Sequence, residues 1–365
     1  NEKKGDTAAL YTAVYSAPNG TGYAGLPAGS TVKDTEGNEV TAEDALAWKK
    51  TDEITLKTTA EVASVTNAKG VSVNFATLAE AIVAAKEGET IKLLADTKEN
   101  VTIAKKLTLD LNGFTLNGGT EKGKPALTVT AAVTVKDSSE AQTGTIKRED
   151  TVANSGSGSH YVIDIQGKNG LLKFEGGTVI NNSGNDKGKG ASLIRLGDDS
   201  VSAWPVLTIT GGTFTQDNFI AIKVDRGTLY LKGGTVNSAH SYAIENWNNA
   251  FIMGGTVNGA VSSWVYSTGA AFSKLEISGG TVNGNVASVN FDNAADKQAR
   301  VYVTGGTVTG TLGTYTYNNG LNPLEDTSKA TIEVTGGTFE EDPTKYVVED
   351  STITKNEDGT FGVAK

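Results

Sequence analysis

Short runs of strict alternation dominate the chain. Leu207-Thr208-Ile209-Thr210, Leu229-Tyr230-Leu231-Lys232, Leu275-Glu276-Ile277-Ser278, Val301-Tyr302-Val303-Thr304 and Ile332-Glu333-Val334-Thr335 put aliphatic residues on one face and polar ones on the other. That period of two is the mark of a half-buried strand. Each run ends in Gly-Gly-Thr, with copies beginning at Gly176, Gly211, Gly233, Gly254, Gly279, Gly305 and Gly336 and a looser one at Gly118. The steps between first glycines after Gly176 are 35, 22, 21, 25, 26 and 31 residues. Self-similarity at about 20 to 30 residues marks a stacked repeat whose units bury their apolar faces only against their neighbours. The glycine pair predicts a bend that a Cβ would obstruct. The Thr then leads into a new inward residue, and Val236, Val257, Val282 and Val308 are expected to form one buried column.

A second strand follows in each unit: Leu193-Ile194-Arg195-Leu196, Ala221-Ile222-Lys223-Val224, Ala243-Ile244-Glu245-Asn246, Trp264-Val265-Tyr266-Ser267 and Ser288-Val289-Asn290-Phe291. Units this small, with two or three strands and no helix, predict an all-β parallel β-helix, a solenoid whose strands stack about 4.8 Å apart. Longer units carry loops, as at 181–190 and 318–328. One helix is predicted over 77–86. Thr77 and Glu80 form a capping-box pair, Leu78, Ala81, Ile82 and Ala85 share a face, and Gly88 follows as a stop. Placed before the first coils, this helix is expected to cover the open end of the stack. At the other end, residues 344–365 read as a closing hairpin of Tyr346–Val348 with Thr360–Val363 around Glu357-Asp358-Gly359. Residues 1–60 lack the repeat, carry Tyr11, Tyr15, Tyr23 and Trp48, and read as a small β-rich module or the tail of a preceding domain. The solenoid is assigned to 61–365.

The run from Thr77 through Ile91-Lys92-Leu93-Leu94-Ala95-Asp96 to Leu107-Thr108-Leu109-Asp110-Leu111-Asn112-Gly113 resembles the opening of pectate-lyase-like right-handed β-helix domains. Such domains occur in large surface proteins of gut Firmicutes. The tail Thr335-Gly336-Gly337-Thr338-Phe339, with Asp342-Pro343, Tyr346 and Asn356-Glu357-Asp358-Gly359-Thr360, looks like their usual finish. The resemblance implies a right-handed coil and a place at the bacterial cell surface. Its functional range is wide, from adhesins and host-protein binders to polysaccharide-degrading enzymes.

Composition narrows that range. The 365 residues include no cysteine, one methionine, Met253, and two histidines, His160 and His240, at a net charge of −10. No disulfide framework or thiol catalysis is possible, and the acidic balance argues against a nucleic-acid partner. No apolar run approaches the length of a membrane-spanning helix and no leader-like segment is seen. A soluble, monomeric piece of a larger extracellular protein is therefore expected, without membrane insertion, cofactor or metal. Gly197-Asp198-Asp199 and Ser159-His160 are similar to motifs of the galacturonan hydrolases of this fold, but the histidine comes first and no Arg-x-Lys follows. A lyase would need clustered carboxylates for calcium and a basic residue. Asp164, Asp225, Asp292, Arg195 and Arg226 are the candidates, and they lie one or more coils apart.

A binding face is the stronger expectation. With the second strands aligned as above, Asp164, Arg195, Lys223, Glu245, Tyr266 and Asn290 form one outward row, and Asp225 and Trp247 share the next with Thr268 and Asp292. Trp247, Trp264 and Tyr266 then gather beside Arg195, Lys223, Asp225 and Glu245. Exposed Trp, Tyr and Arg dominate protein interfaces, and aromatic platforms also suit sugar rings. The charges can equally be ion pairs along the stack, worth about 0 to 1 kcal/mol each, and the rings can simply pack together. A register slip of one residue would turn Trp264 and Tyr266 inward. The expected function is capture of a host extracellular protein, of immunoglobulin or mucin type, or of a glycan. The alternative is a lyase or glycoside hydrolase acting on acidic polysaccharide.

Overall fold

The computed structural model describes residues 61–121, 123–149, 161–181, 192–198, 204–318, 322–324 and 328–365, together with the backbone of three short strands nearer the N-terminus. Those three, Thr31–Lys33, Glu39–Thr41 and Glu53–Thr55, form an antiparallel sheet with Thr31–Lys33 in the middle. They belong to a separate compact unit, Asn1–Ala60, while Glu61–Lys365 forms the other. Tyr11, Tyr15, Tyr23 and Trp48 lie outside the described residues, as do His160, Asp199 and much of the two loops.

The larger unit is an all-β solenoid of parallel strands in three columns. Column one begins with Thr90–Leu93 and continues through Leu107–Asp110, Ala132–Lys136, Leu171–Phe174, Val206–Ile209 and Thr228–Leu231, each strand in parallel register with the next. Column two carries the Gly-Gly-Thr threonines, which stack directly as Thr178, Thr213, Thr235, Thr256, Thr281, Thr307 and Thr338, with Thr145 of Thr143-Gly144-Thr145 before them. Column three runs from Val101–Ile103 and Leu127–Val129 through Ile163–Ile165, Ile194–Leu196 and Ile222–Val224. It continues in residues 244–246 and 261–265, then Val286–Asn290 and Leu312–Asn318.

The expected valine column is present. Val236, Val257, Val282 and Val308 are partners in successive coils, and each is fully buried. The need for paired glycines is visible at Gly254-Gly255. Gly255 has φ +78°, and a Cβ there would lie 2.6 Å from the Gly234 carbonyl of the adjacent coil. A Cβ on Gly254 would lie 2.5 Å from the Lys232 carbonyl. Both positions thus exclude side chains for steric reasons, and Gly255 on backbone conformation as well. Beyond the threonines, Asn283 donates to Asn258 and Asn258 to Asn237, each at 2.8 Å, so stacked amides satisfy one another along column two.

The helix α1 spans Leu78–Ala84, shorter than the sequence pattern, with Thr77 as its N-cap accepting from the Glu80 N–H at 3.1 Å. The Glu99 carboxylate, from the first coil, accepts from the N–H groups of Leu78 and Ala79 at 2.8 and 2.9 Å. Lys105 donates to the Val83 carbonyl at the other end, at 3.0 Å. A helix of this length is marginal alone, and these ties to the first coil, with Leu78, Ala81 and Ile82 buried in the core, account for it. At the C-terminus the hairpin differs from expectation. Phe361–Ala364 pairs with Thr352–Lys355, and on its other edge with Gly337–Phe339. Tyr346 instead ends a short 3-10 turn, and Val347 makes a single parallel bridge to Val334.

Candidate functional site

The outer face of column three collects the sequence-predicted residues, with one change of register. Asp164, Arg195, Lys223 and Glu245 do follow one another across adjacent strands. The next partner of Glu245 is Ser262, not Tyr266, and Ser262 is followed by Ala287. Tyr266 therefore lies four residues beyond that row. Asn290 is not outward at all: it pairs with Val265 and Thr316, is fully buried, and holds the Ala294 N–H and carbonyl.

The shift brings the tryptophans closer together. Asn246 pairs with Ser263, so Trp247, one residue past the end of its strand, lines up beside Trp264 on the next, with ring centroids 5.4 Å apart. Tyr266 meets Trp247 edge to face at 4.9 Å. Three residues absent from the predicted set join the cluster or extend it. Tyr242 packs edge to face on Trp264 at 5.8 Å, Phe291 packs on the same ring at a tilt, also at 5.8 Å, and Tyr315 follows in the same row as Trp264 through Val289. Phe291 and Tyr315 are 39% and 40% exposed, so the cluster ends in accessible aromatic surface. Tyr315 stacks in turn on Tyr317, with centroids 6.0 Å apart.

The correct register is written in the sequence. From the column-two threonine to the first inward residue of column three the spacing is the same in Thr256–Val261, Thr281–Val286 and Thr307–Leu312, each through a glycine. Aligning on the tryptophan strand misses this, because Thr235–Ile244 carries extra residues and the pairing shifts register between Asn237 and Ile244. The same irregularity hides Tyr242 from a period-two reading.

The polar end of the face is built from charges that are largely withdrawn from water. Arg195 makes a bidentate pair with Asp164, Nε to Oδ1 at 3.0 Å and Nη2 to Oδ2 at 2.8 Å. Its Nη1 reaches Asp198 at 3.2 Å, and its guanidinium lies 4.6 Å from the centre of the Tyr161 ring. Burial opposes the Arg195 charge, but Asp164 more than offsets it and holds the guanidinium above its ordinary pKa. Lys223 pairs with Asp225 at 2.9 Å. Its pKa too is raised: burial works against the charge, and Asp225, then Glu245, outweigh it.

Glu245 was expected at an exposed rim and is instead buried, at 9% exposure. Its Oε1 accepts the Trp247 indole N–H at 2.7 Å. Burial pushes this carboxyl up, against the opposing pull of Trp247 and Lys223. The Trp264 indole N–H is bound likewise, by Ser262 Oγ at 2.6 Å. Burial, with the nearby Glu245 charge, pushes the Tyr242 hydroxyl up to about 12.

Among the described residues weighed for catalysis, Asp164 and Asp198 meet at Arg195 as its ion-pair partners, and Asp225 pairs with Lys223. Asp164 is committed to Arg195, Asp292 accepts from the Ser267 N–H at 2.9 Å, and no group of three potential metal ligands occurs among the described residues. Column one carries a second aromatic ladder that the sequence reading passed over. Tyr230 and Phe251 stack at 5.2 Å, and the Lys274 ammonium lies between Phe251 and Tyr302 at 5.1 and 5.4 Å from their centroids. No family model, no curated protein and no solved structure matches the chain.

Proposed function

We propose that this chain is the ligand-capturing part of an extracellular bacterial surface protein, and that the outer face of column three binds a host extracellular protein of immunoglobulin or mucin type. The observation that carries this reading is the packed group Trp247, Trp264, Tyr266, Tyr242 and Phe291, open to solvent at Phe291 and Tyr315 and bordered by Arg195, Lys223 and Asp225. Aromatic residues flanked by fixed polar groups are what dominates binding energy at protein interfaces. A glycan is the less favoured occupant, because the edge-to-face packing uses ring faces that a sugar would stack on. The resemblance to pectate-lyase-like domains supports the setting, a right-handed coil at the cell surface with α1 covering its first turn.

A pull-down from host mucosal secretions with the purified chain, followed by direct binding to purified immunoglobulin and mucin, tests the reading. Saturable binding of one of these proteins is expected. Failure to bind either, or release of unsaturated or reducing ends from pectin, alginate or mucin glycans, would overturn it.

A further inference from the structure

The indole N–H groups of Trp247 and Trp264 are both consumed inside the protein, one by Glu245 and one by Ser262. Each tether joins residues two apart in sequence, so it fixes the ring relative to its own backbone. The two tethers differ in one respect: Ser262 has no charge to lose, whereas Glu245 does. We propose that Glu245 is a proton-sensitive positioning residue for Trp247, so that the aromatic face takes one arrangement when the carboxyl is charged and another when it is neutral. The proposal deepens the binding role assigned to this face and rests on it only for its consequence, pH-dependent capture.

The surroundings of Glu245 make the carboxyl a sensitive point. On one side stand Lys223 and Asp225, paired with each other at 2.9 Å, with Lys223 also attracting Glu245. On its own strand is Tyr242, a neutral hydroxyl throughout the usual range. On the other side, Ser262 and Trp264 carry no charge. At 9% exposure, little water is on hand to screen a change of charge. When the carboxyl takes a proton, its attraction to Lys223 is lost and the charge-assisted bond from the Trp247 N–H weakens to an ordinary one. Trp247 packs on both Trp264 and Tyr266, so any movement of its ring is passed to the rest of the cluster. The indole rings therefore offer a partner carbon surface only, with the hydrogen-bonding edge of each turned inward. That favours an apolar protein anchor over a hydroxyl-rich ligand.

The test needs no partner. Near-ultraviolet circular dichroism and tryptophan fluorescence of the purified chain are recorded from pH 8 to pH 4, with far-ultraviolet circular dichroism as the check on folding. The wild type is expected to show a one-proton transition with a midpoint above the ordinary carboxyl range. Glu245→Gln is neutral at every pH, like the protonated carboxyl, and should lack the transition, holding the low-pH signal throughout. Trp247→Phe should lose it as well, while Trp204→Phe should retain it. Absence of a transition in folded wild type, or its persistence in Glu245→Gln or Trp247→Phe, would overturn the proposal. Capture of immunoglobulin or mucin that fails at every pH would count against the binding role of the face and leave this spectroscopic result standing.

Discussion

A carboxylate held away from water costs stability unless its partners make good the lost hydration. At Glu245 they do so only in part, since burial still raises its pKa above the ordinary 4.5. The folded state then binds this proton more tightly than the unfolded chain does. The group's contribution is full below the unfolded value and is lost as pH rises through the folded one. Glu245→Gln is accordingly expected to raise the melting temperature at pH 8, with the gain shrinking as pH falls toward 4; a lower melting temperature at pH 8 would refute the assignment. Asp137 behaves in the opposite sense. Burial works against its charge, but the N–H groups of Ser139, Gly144 and Gly113 hold it below its ordinary value. Its stabilisation is present at neutral pH and is lost on acidification through the folded value. Asp137→Asn should therefore lower the melting temperature at pH 7, by less as pH approaches 3.

At the scale of the element, a coil is defined by its inward column, and Val257 sits in the middle of it with no exposed surface. Val257→Asp places an unpaired charge among Val236, Val282 and the aliphatic core. It should cost on the order of 3 kcal/mol or more, seen as a lower midpoint in denaturant; an unchanged midpoint would contradict the register. This column was legible because Gly-Gly-Thr anchors it: only glycine fits the two bends, so the motif cannot drift. The helix was legible from Thr77 and its apolar face, but not its ties, since Glu99 and Lys105 are distant in sequence and become neighbours only once the first coil forms. Column three is legible as far as Glu245 and is lost in the next coil, where the long spacing of Thr235–Ile244 no longer holds. Tyr266 and Asn290 were misplaced there, and Tyr242 and Phe291 were passed over. The burial of Glu245 was not readable from its own strand, where it stands at an outward position. It follows from the ring of Trp247, two residues on, which bonds the carboxylate and packs on Trp264 of the next coil.

For the whole molecule, stacking converts a sequence repeat into a rigid array. Parallel register holds Trp264 on its strand and Trp247 and Phe291 one residue past the ends of the neighbouring strands, so a partner docking there loses less conformational freedom than it would on mobile segments. The charged end of the face is expected to matter less than the rings, because Arg195 and Lys223 are already paired with Asp164 and Asp225 and have less to gain from a partner. The most direct test of the proposed binding role is the affinity of purified immunoglobulin or mucin for wild type, Trp247→Ala, Trp264→Ala and Lys223→Ala by surface plasmon resonance, each variant checked for a wild-type melting profile. The two tryptophan variants should each lose on the order of 2 kcal/mol, more than a tenfold weakening, and Lys223→Ala less than about 1 kcal/mol. Folded tryptophan variants that bind like wild type would contradict the account and move the site off column three.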